Sequence, residues 1–357
     1  MNRLCQSSYG SLEAVINFAG CNGNPERRLV HFYRDRISGK WSKADIISTK
    51  PSSGGSIIQN CTKRNRNQNH GDFEVLVLEE DRFMKHYTRD NTVPVESGKY
   101  AWQLSATVND ELHEQYGQVI VRDAAPIHQM KMPTDDSSGG TVLDTALLTS
   151  NNDILHYRCQ QPKLESKDIC HQWKYVDRIT KYASGPACLY QDCKDDLKAL
   201  VPVVGGIAEF TFTCGAWNRV RSIPDTNGPA CTYRTNHADT SRVYAVVRCE
   251  DELIVKSNKK IETNQPTWAT CIFQLPSALK KLYRSSHHKE HTGNPMAIVS
   301  QTPYFLGHSS NPEAIVFHSC GTGWQNKWMV LHWTRLTAIE DWIVSGVVLS
   351  EVVGVPM

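Results

Sequence analysis

The sequence predicts an all-β protein, a six-bladed β-propeller built from four-stranded antiparallel blades. Two observations carry that prediction. The stretch Gly71 to Trp102 contains two alternating runs, DFEVLVLEE and RFMKHYTRD, separated by a single Asp81, and then a loop and a tryptophan that opens a third run. Alternation of apolar and polar residues at period two marks half-buried strands. The second observation is repetition. Six of the nine tryptophans stand at equivalent places in six similar units. Four-stranded units of about 40–70 residues repeated in this way are the sequence form of a propeller.

Each unit aligns on four landmarks: a short strand ending in a polar residue, an alternating apolar strand, a strand with an aromatic patch, and the tryptophan. The first unit (3–49) carries Gln6, LEAVINFA, RRLVHFYRD and Trp41; the second (54–110) carries Gln59, the two runs above and Trp102. The third (124–182) shows Gln129, TVLDTALLT, DILHYRC and Trp173, and the fourth (186–226) shows Gln191, LKALVPVVG, IAEFTFTC and Trp217. In the fifth (229–279) Arg234 replaces the glutamine, ahead of SRVYAVVRC, ELIVKSN and Trp268. The sixth (295–350) has Gln301 (or Ser300), EAIVFHSC, WMVLHWTR and Trp342. All six belong to one domain spanning 1–357, because each small sheet has two apolar faces that only neighbours cover. The tryptophans are accordingly read as packing residues between blades, and the termini are expected to meet where the last blade joins the first. The one helical pattern lies in an insertion, at 276–288.

Composition narrows the function. Thirty-nine Lys and Arg against 37 Asp and Glu leave no basic field for nucleic acid. The basic run Thr62 to Asn69 reads as a solvated loop. No run of eighteen apolar residues is present, so no membrane span is expected. Twelve cysteines without paired CxxC knuckles argue against structural zinc and suggest disulfides mixed with buried thiols. Cys159 and Cys170 flank a loop that a disulfide is able to pin. With the acceptor sequence Asn60-Cys61-Thr62, this favours a secretory, vesicular or extracellular history with the leader removed. The opening MNRLCQSSYG has no apolar leader, and a cytoplasmic protein with unbridged thiols is the alternative.

His31, His86, His156 and His332 recur at one position, which suggests structural imidazoles that satisfy nearby backbone groups. His287 and His291 are four apart in the helical insertion, beside His288, and read as a solvated face rather than a metal site. Nucleophile elbow, phosphate loop, HExxH, Asp-box and DxDxDG patterns are absent, so no cofactor and no metal is expected. What remains is the central channel, where the first strands converge. There Gln6, Gln59, Gln129, Gln191, Arg234 and Gln301 would sit among Tyr9, His128, Tyr190 and Tyr233. Amides around one guanidinium suit a neutral polar ligand with an acidic oxygen, or else merely satisfy each other.

The phrases LVHFYRD (29–35), MKHYTRD (84–90), ILHYRC (154–159) and VLHWTR (330–335), with GSIIQN ahead of GDFEVLVLEE, resemble the repeats of fungal and bacterial lectin-like propellers. Packing residues recur across the units while inner strands diverge, which points to one site rather than six. Among single-site propellers the chain is similar to the hetero-Diels–Alderases of tropolonic sesquiterpenoid biosynthesis. That resemblance implies a cofactor-independent pericyclase joining a tropolone-derived ortho-quinone methide to a humulene-type alkene. Arg234, Gln191 and Tyr233 would then be catalytic. Gln59, His128, Gln129, Tyr190, Gln301 and Trp324 would bind the two small-molecule substrates. The alternative is a fucose-type carbohydrate-binding lectin without chemistry, and a third is a purely structural propeller.

Overall fold

Twenty-four strands pair into six antiparallel meanders of four. The first sheet holds β1 (Leu4–Gln6), β2 (Leu12–Ala19), β3 (Arg27–Arg34) and β4 (Trp41–Ser48). The second holds β5 (Pro51–Gln59), β6 (Phe73–Glu79), β7 (Met84–Arg89) and β8 (Gln103–Thr107). The third holds β9 (Ile127–Lys131), β10 (Thr141–Leu148), β11 (Ile154–Gln160) and β12 (Trp173–Thr180). The fourth holds β13 (Cys188–Gln191), β14 (Leu197–Val203), β15 (Gly206–Thr213) and β16 (Ala216–Pro224). The fifth is β17 (Asn227–His237), β18 (Thr240–Cys249), β19 (Glu252–Lys259) and β20 (Thr267–Phe273). The sixth is β21 (His291–Ser300), β22 (Pro312–Cys320), β23 (Lys327–Arg335) and β24 (Trp342–Val353). This computed structural model describes residues 4–7, 11–19, 27–35, 38–60, 71–90, 102–110, 120–123, 125–131, 141–160, 172–191, 196–224 and 226, and from 227 onward these strands as backbone.

Consecutive sheets touch through their first strands. β5 lies against β1 and β2, β9 against β5, β13 against β9 and β10, β17 against β13 and β14, and β21 against β17 and β18. The last sheet also meets the first, β21 against β1 and β24 against β2 and β4.

Between the sheets lies the core. On β6, Val75 and Val77 pack toward the first sheet with Val15, Leu29, Ile47 and Trp102, while Leu76 and Leu78 pack toward the third with Ile127, Leu143, Leu147 and Trp173. Val142, Ala146 and Leu148 of β10 turn instead to Leu189, Ala199 and Val201 of the fourth sheet. Successive residues of a strand point to opposite faces, so one run such as FEVLVL supplies two interfaces. Each large side chain so buried contributes about 1.5–3 kcal/mol. Of the tryptophans expected to pack between sheets, Trp102 and Trp173 are buried in these clusters and Trp217 packs against the third–fourth cluster, while Trp41 is only partly buried.

Three local expectations need correction. The turn between β6 and β7 is not one residue, because reversing an antiparallel pair takes at least two; Glu80 to Phe83 form it, with Arg82 at φ +68° and its amide bonded to the Glu79 carbonyl. His291 belongs to β21, so it does not share a helix face with His287, which together with His288 and the expected helix at 276–288 lies outside the described residues. No disulfide is seen among the described residues, where Cys5, Cys159, Cys188 and Cys214 are thiols. Cys159 is buried in the core between the second and third sheets, and its expected partner Cys170 lies outside the described residues. Among the described residues no helix is long and apolar enough to cross a membrane.

The β14–β15 and β15–β16 hairpins of the fourth sheet turn on two residues each. Cys214 and Gly215 occupy a two-residue loop at φ +52° and +81°, the paired left-handed conformation that suits the twist of the strands. Gly206 has φ +151°, and a Cβ there would strike the Ile223 carbonyl. Cys214 stands exposed at its loop, whereas burial and then the charge of Glu13 push the Cys5 thiol well above its ordinary range. Iodoacetamide added to the folded protein, followed by peptide mass mapping, is expected to modify Cys214 well before Cys5, Cys159 or Cys188. Equal rates at all four would contradict the described burial.

Candidate functional site

The strand register brings one position of each sheet into focus. A carboxylate stands at one register position of β2, β6 and β10, as Glu13, Glu74 or Asp144, and two pairs further along the ladder a histidine faces the strand from its neighbour. Their side chains meet. His31 Nε2 bonds Glu13 Oε2 at 2.8 Å, His86 Nε2 bonds Glu74 Oε2 at 2.8 Å, and His156 Nε2 bonds Asp144 Oδ1 at 2.7 Å. All three rings are fully buried. The repeated histidines are therefore structural, as the sequence suggested, but their partners are carboxylates rather than backbone groups.

The second ring nitrogen reaches the next sheet. Trp173 Nε1 donates to His86 Nδ1 and Trp217 Nε1 to His156 Nδ1, each at 3.3 Å. At His31, Arg89 Nη1 donates to Nδ1 at 3.1 Å, and Trp102 stacks edge-on at 5.6 Å. Indole and guanidinium groups only donate, so Nδ1 accepts and the ring carries its proton on Nε2, aimed at the carboxylate. Each bridge ties two strands of one sheet to the next sheet.

Asp144 carries a second partner on the same oxygen. Its Oδ1 also takes Arg158 Nε at 2.7 Å. Burial pushes its carboxyl upward, but the bond and charge of His156 and those of Arg158 outweigh this and hold it below the usual range.

The fourth sheet reverses the arrangement. Lys198 of β14 occupies the carboxylate position and Glu209 of β15 the histidine position. Glu209 is fully buried and accepts from Tyr190 Oη at 3.0 Å, pairs with Lys198 Nζ at 3.6 Å, and takes Arg221 Nε on its other oxygen. Lys198 and Arg221 keep 14% and 16% of their side chains exposed, so the buried Glu209 is flanked by two cations that reach solvent, where Asp144 has one such partner, Arg158.

The residues expected to form the site divide. Gln6, Gln59, Gln129, Gln191, Arg234 and Ser300 share one register row, each facing the residue before the carboxylate position. Ser300, rather than Gln301, holds that row in the sixth sheet, and Gln301 and Trp324 lie outside the described residues. Gln59 Nε2 donates to the Gly71 carbonyl at 3.0 Å, and Gln129 Nε2 donates to Asn60 Oδ1 at 2.5 Å. Asn60 in turn donates to Glu74 Oε1 at 3.1 Å. Buried and bonded on both amide atoms, Asn60 is no exposed glycosylation acceptor in the folded protein. Tyr190 joins the Glu209 cluster, and His128 faces Asp144 across the β9–β10 ladder. Tyr233 and Arg234 sit on β17 at the positions of Tyr190 and Gln191. Sequence reasoning missed the second-strand charges, although LEAV, FEVL, LDTA and LKAL carry them at one fixed place.

No protein-family model and no curated protein matches the chain. Its structure is similar to the fucose-specific lectin of Aleuria aurantia, at 13% identity and TM-score 0.53 over 98% of both chains. It is also similar to AofleA of Arthrobotrys oligospora (10% identity, TM-score 0.52, 100% of this chain and 91% of that one). A third likeness is to the α-L-arabinofuranosidase ARB93A of Fusarium graminearum (12%, TM-score 0.50, 88% and 87%). The chain thus has a lectin-like fold of the β-propeller type.

Two measurements probe the bridges. Trp173→Phe keeps the ring but orphans His86 Nδ1, and is expected to cost about 1–3 kcal/mol in urea unfolding. Asp144→Asn is expected to cost about 3–5 kcal/mol at neutral pH, since it strips a buried partner from His156 and Arg158. Its effect should shrink in acid. A carboxyl held low in the fold stabilises above its unfolded value, near pH 4, and loses that contribution as pH falls through the folded one. The Asn variant should therefore show a flatter acid limb below about pH 4.

Proposed function

We propose that this chain is a carbohydrate-binding protein and that its six sheets are the blades of one closed ring. The observation that carries the binding reading is the fourth-sheet cluster. Where three sheets pair a carboxylate with a buried imidazole, this one sets a buried carboxylate between a lysine and an arginine that each reach solvent. Such a group offers donors and acceptors side by side, the pattern that vicinal hydroxyls match. Fold likeness to a fucose-specific lectin points the same way, and adjacency of the sixth sheet to the first supports closure. A glycan array is expected to show saccharide binding, weakened about tenfold or more by Glu209→Gln or Lys198→Ala with unfolding transitions retained. An array blank for the folded wild-type protein would overturn the reading.

A second reading rests on Arg234, the one guanidinium in a row otherwise of amides and a hydroxyl. One such departure among repeated units suits a single site, as in a cofactor-independent hetero-Diels–Alderase acting on a tropolone-derived quinone methide and a humulene-type alkene. Gln191 and Tyr233 would assist it. Incubation with a hydroxymethyl tropolone and humulene should then give stereochemically pure adduct faster than buffer, and Arg234→Ala should abolish the gain. Racemic product at the uncatalysed rate would remove this reading.

A further inference from the structure

In the third sheet, two buried polar atoms face each other without partners. Asp144 is fully buried, with Oδ1 taken by His156 and Arg158, yet its Oδ2 has no hydrogen-bond partner. Directly across the ladder, His128 Nε2 is also buried and unbonded, although the residue as a whole is only partly buried. Directly opposed residues of an antiparallel pair have Cβ atoms about 4.5–5.5 Å apart. Leaving such groups unsatisfied is costly, about 1–3 kcal/mol apiece and more for a charge.

The other sheets show why the gap exists. The second sheet has the longer Glu74 at this position, and both of its oxygens are bonded, one by His86 and one by Asn60. Its inner-strand neighbour, at the place of His128, is the apolar Ile58. In the fourth sheet Tyr190 takes the place of His128 and reaches the carboxylate itself. Only in the third do a shortened carboxylate and a second polar side chain coincide. Aspartate in place of glutamate withdraws one methylene, roughly the room one oxygen atom needs, since a water occupies about 30 Å³ in the liquid.

We propose that His128 and Asp144 form a hydroxyl subsite that accepts one hydroxyl group of a bound saccharide. The hydroxyl donates to Asp144 Oδ2 and bonds His128 Nε2 with its remaining capacity. An ordered water supplies the same chemistry when no saccharide is present. The other groups facing the carboxylate, His156 and Arg158, are already bonded to Oδ1 and hold it charged, which strengthens the bond it accepts. Burial lowers the affinity of His128 for a proton, against the opposing charge of Asp144, so its imidazole is a neutral partner. The inference rests on the carbohydrate-binding reading and adds a second place on the ring to the fourth-sheet cluster.

Asp144→Glu tests it, because the added methylene gives the carboxylate the length of Glu74 and fills the space at Oδ2 while keeping a carboxylate for His156. His128→Ile, which copies the second sheet on the inner strand, is the companion variant. The probe is the methyl glycoside of the saccharide bound most strongly on the array. Crystals of the wild-type protein are expected to show a water between His128 and Asp144 without the glycoside and a sugar oxygen there with it. Both variants should melt as the wild type does and bind the glycoside about tenfold more weakly. A glycoside seated elsewhere, with a water or nothing between the two residues, overturns the subsite and leaves the carbohydrate reading intact. So does undiminished affinity in both folded variants. A blank array defeats the carbohydrate reading, and the subsite falls with it even if the water is seen.

Discussion

The fold depends on a buried carboxylate held by an imidazole whose other nitrogen answers a donor from the next sheet. A four-stranded meander standing alone would expose two apolar faces, and apolar contact between faces is tolerant of sliding. Directional bonds are not. With Nε2–H committed to Glu74 and Nδ1 to the Trp173 indole, His86 has one orientation, and the third sheet has one height relative to the second. Gln129 repeats the constraint from the inner edge, through Asn60 to the same Glu74. One carboxylate thus collects bonds that fix the interface at two separate places.

That arrangement has a cost, which shapes where the protein is able to vary. Taking a carboxylate out of water is expensive unless its oxygens are paired, and a bridge lacking one member leaves a charge stranded. A sheet either keeps the whole set or replaces it as a set. The fourth sheet does the latter, exchanging glutamate and histidine for lysine and glutamate and recruiting Arg221 and Tyr190. The backbone register places Glu313 and His332 of the sixth sheet at the same paired positions as Glu13 and His31. In the fifth, Tyr244 and Val255 stand there, with no charge to pair.

Much of the fold was legible because strands write themselves twice. Runs such as FEVLVL bury both faces, and the tryptophan that opens or adjoins each fourth strand marks the unit length. The four-landmark alignment therefore coincides with the observed meanders. The site was less legible, for a physical reason. Glutamines at the ends of inner strands looked available because an amide in a sequence carries no sign of what it bonds; Gln59 and Gln129 turn out to serve a carbonyl and Asn60. The second-strand charges were visible as letters, yet period-two reading treats an isolated Glu or Lys as an outward residue. Here both faces are buried, so a charge in the strand is a buried charge and implies a partner.

Function in such a scaffold follows from that same rule. The carboxylates and imidazoles that recur from sheet to sheet are bound to one another, and most of their hydrogen-bonding capacity is spent inside the fold. Capacity for a ligand arises only where a unit departs from the repeat and the departure leaves atoms over. Gln59 and Gln129 match the repeat and are consumed; the fourth sheet departs from it, and Lys198 and Arg221 stay partly exposed beside the buried Glu209. Asp144 is shorter than Glu74 by a methylene and has no counterpart of Asn60 beside it, so its Oδ2 stays without a hydrogen-bond partner. The imidazole bridges make the differences meaningful, since sheets fixed at those interfaces hold these few groups in place for whatever molecule meets them.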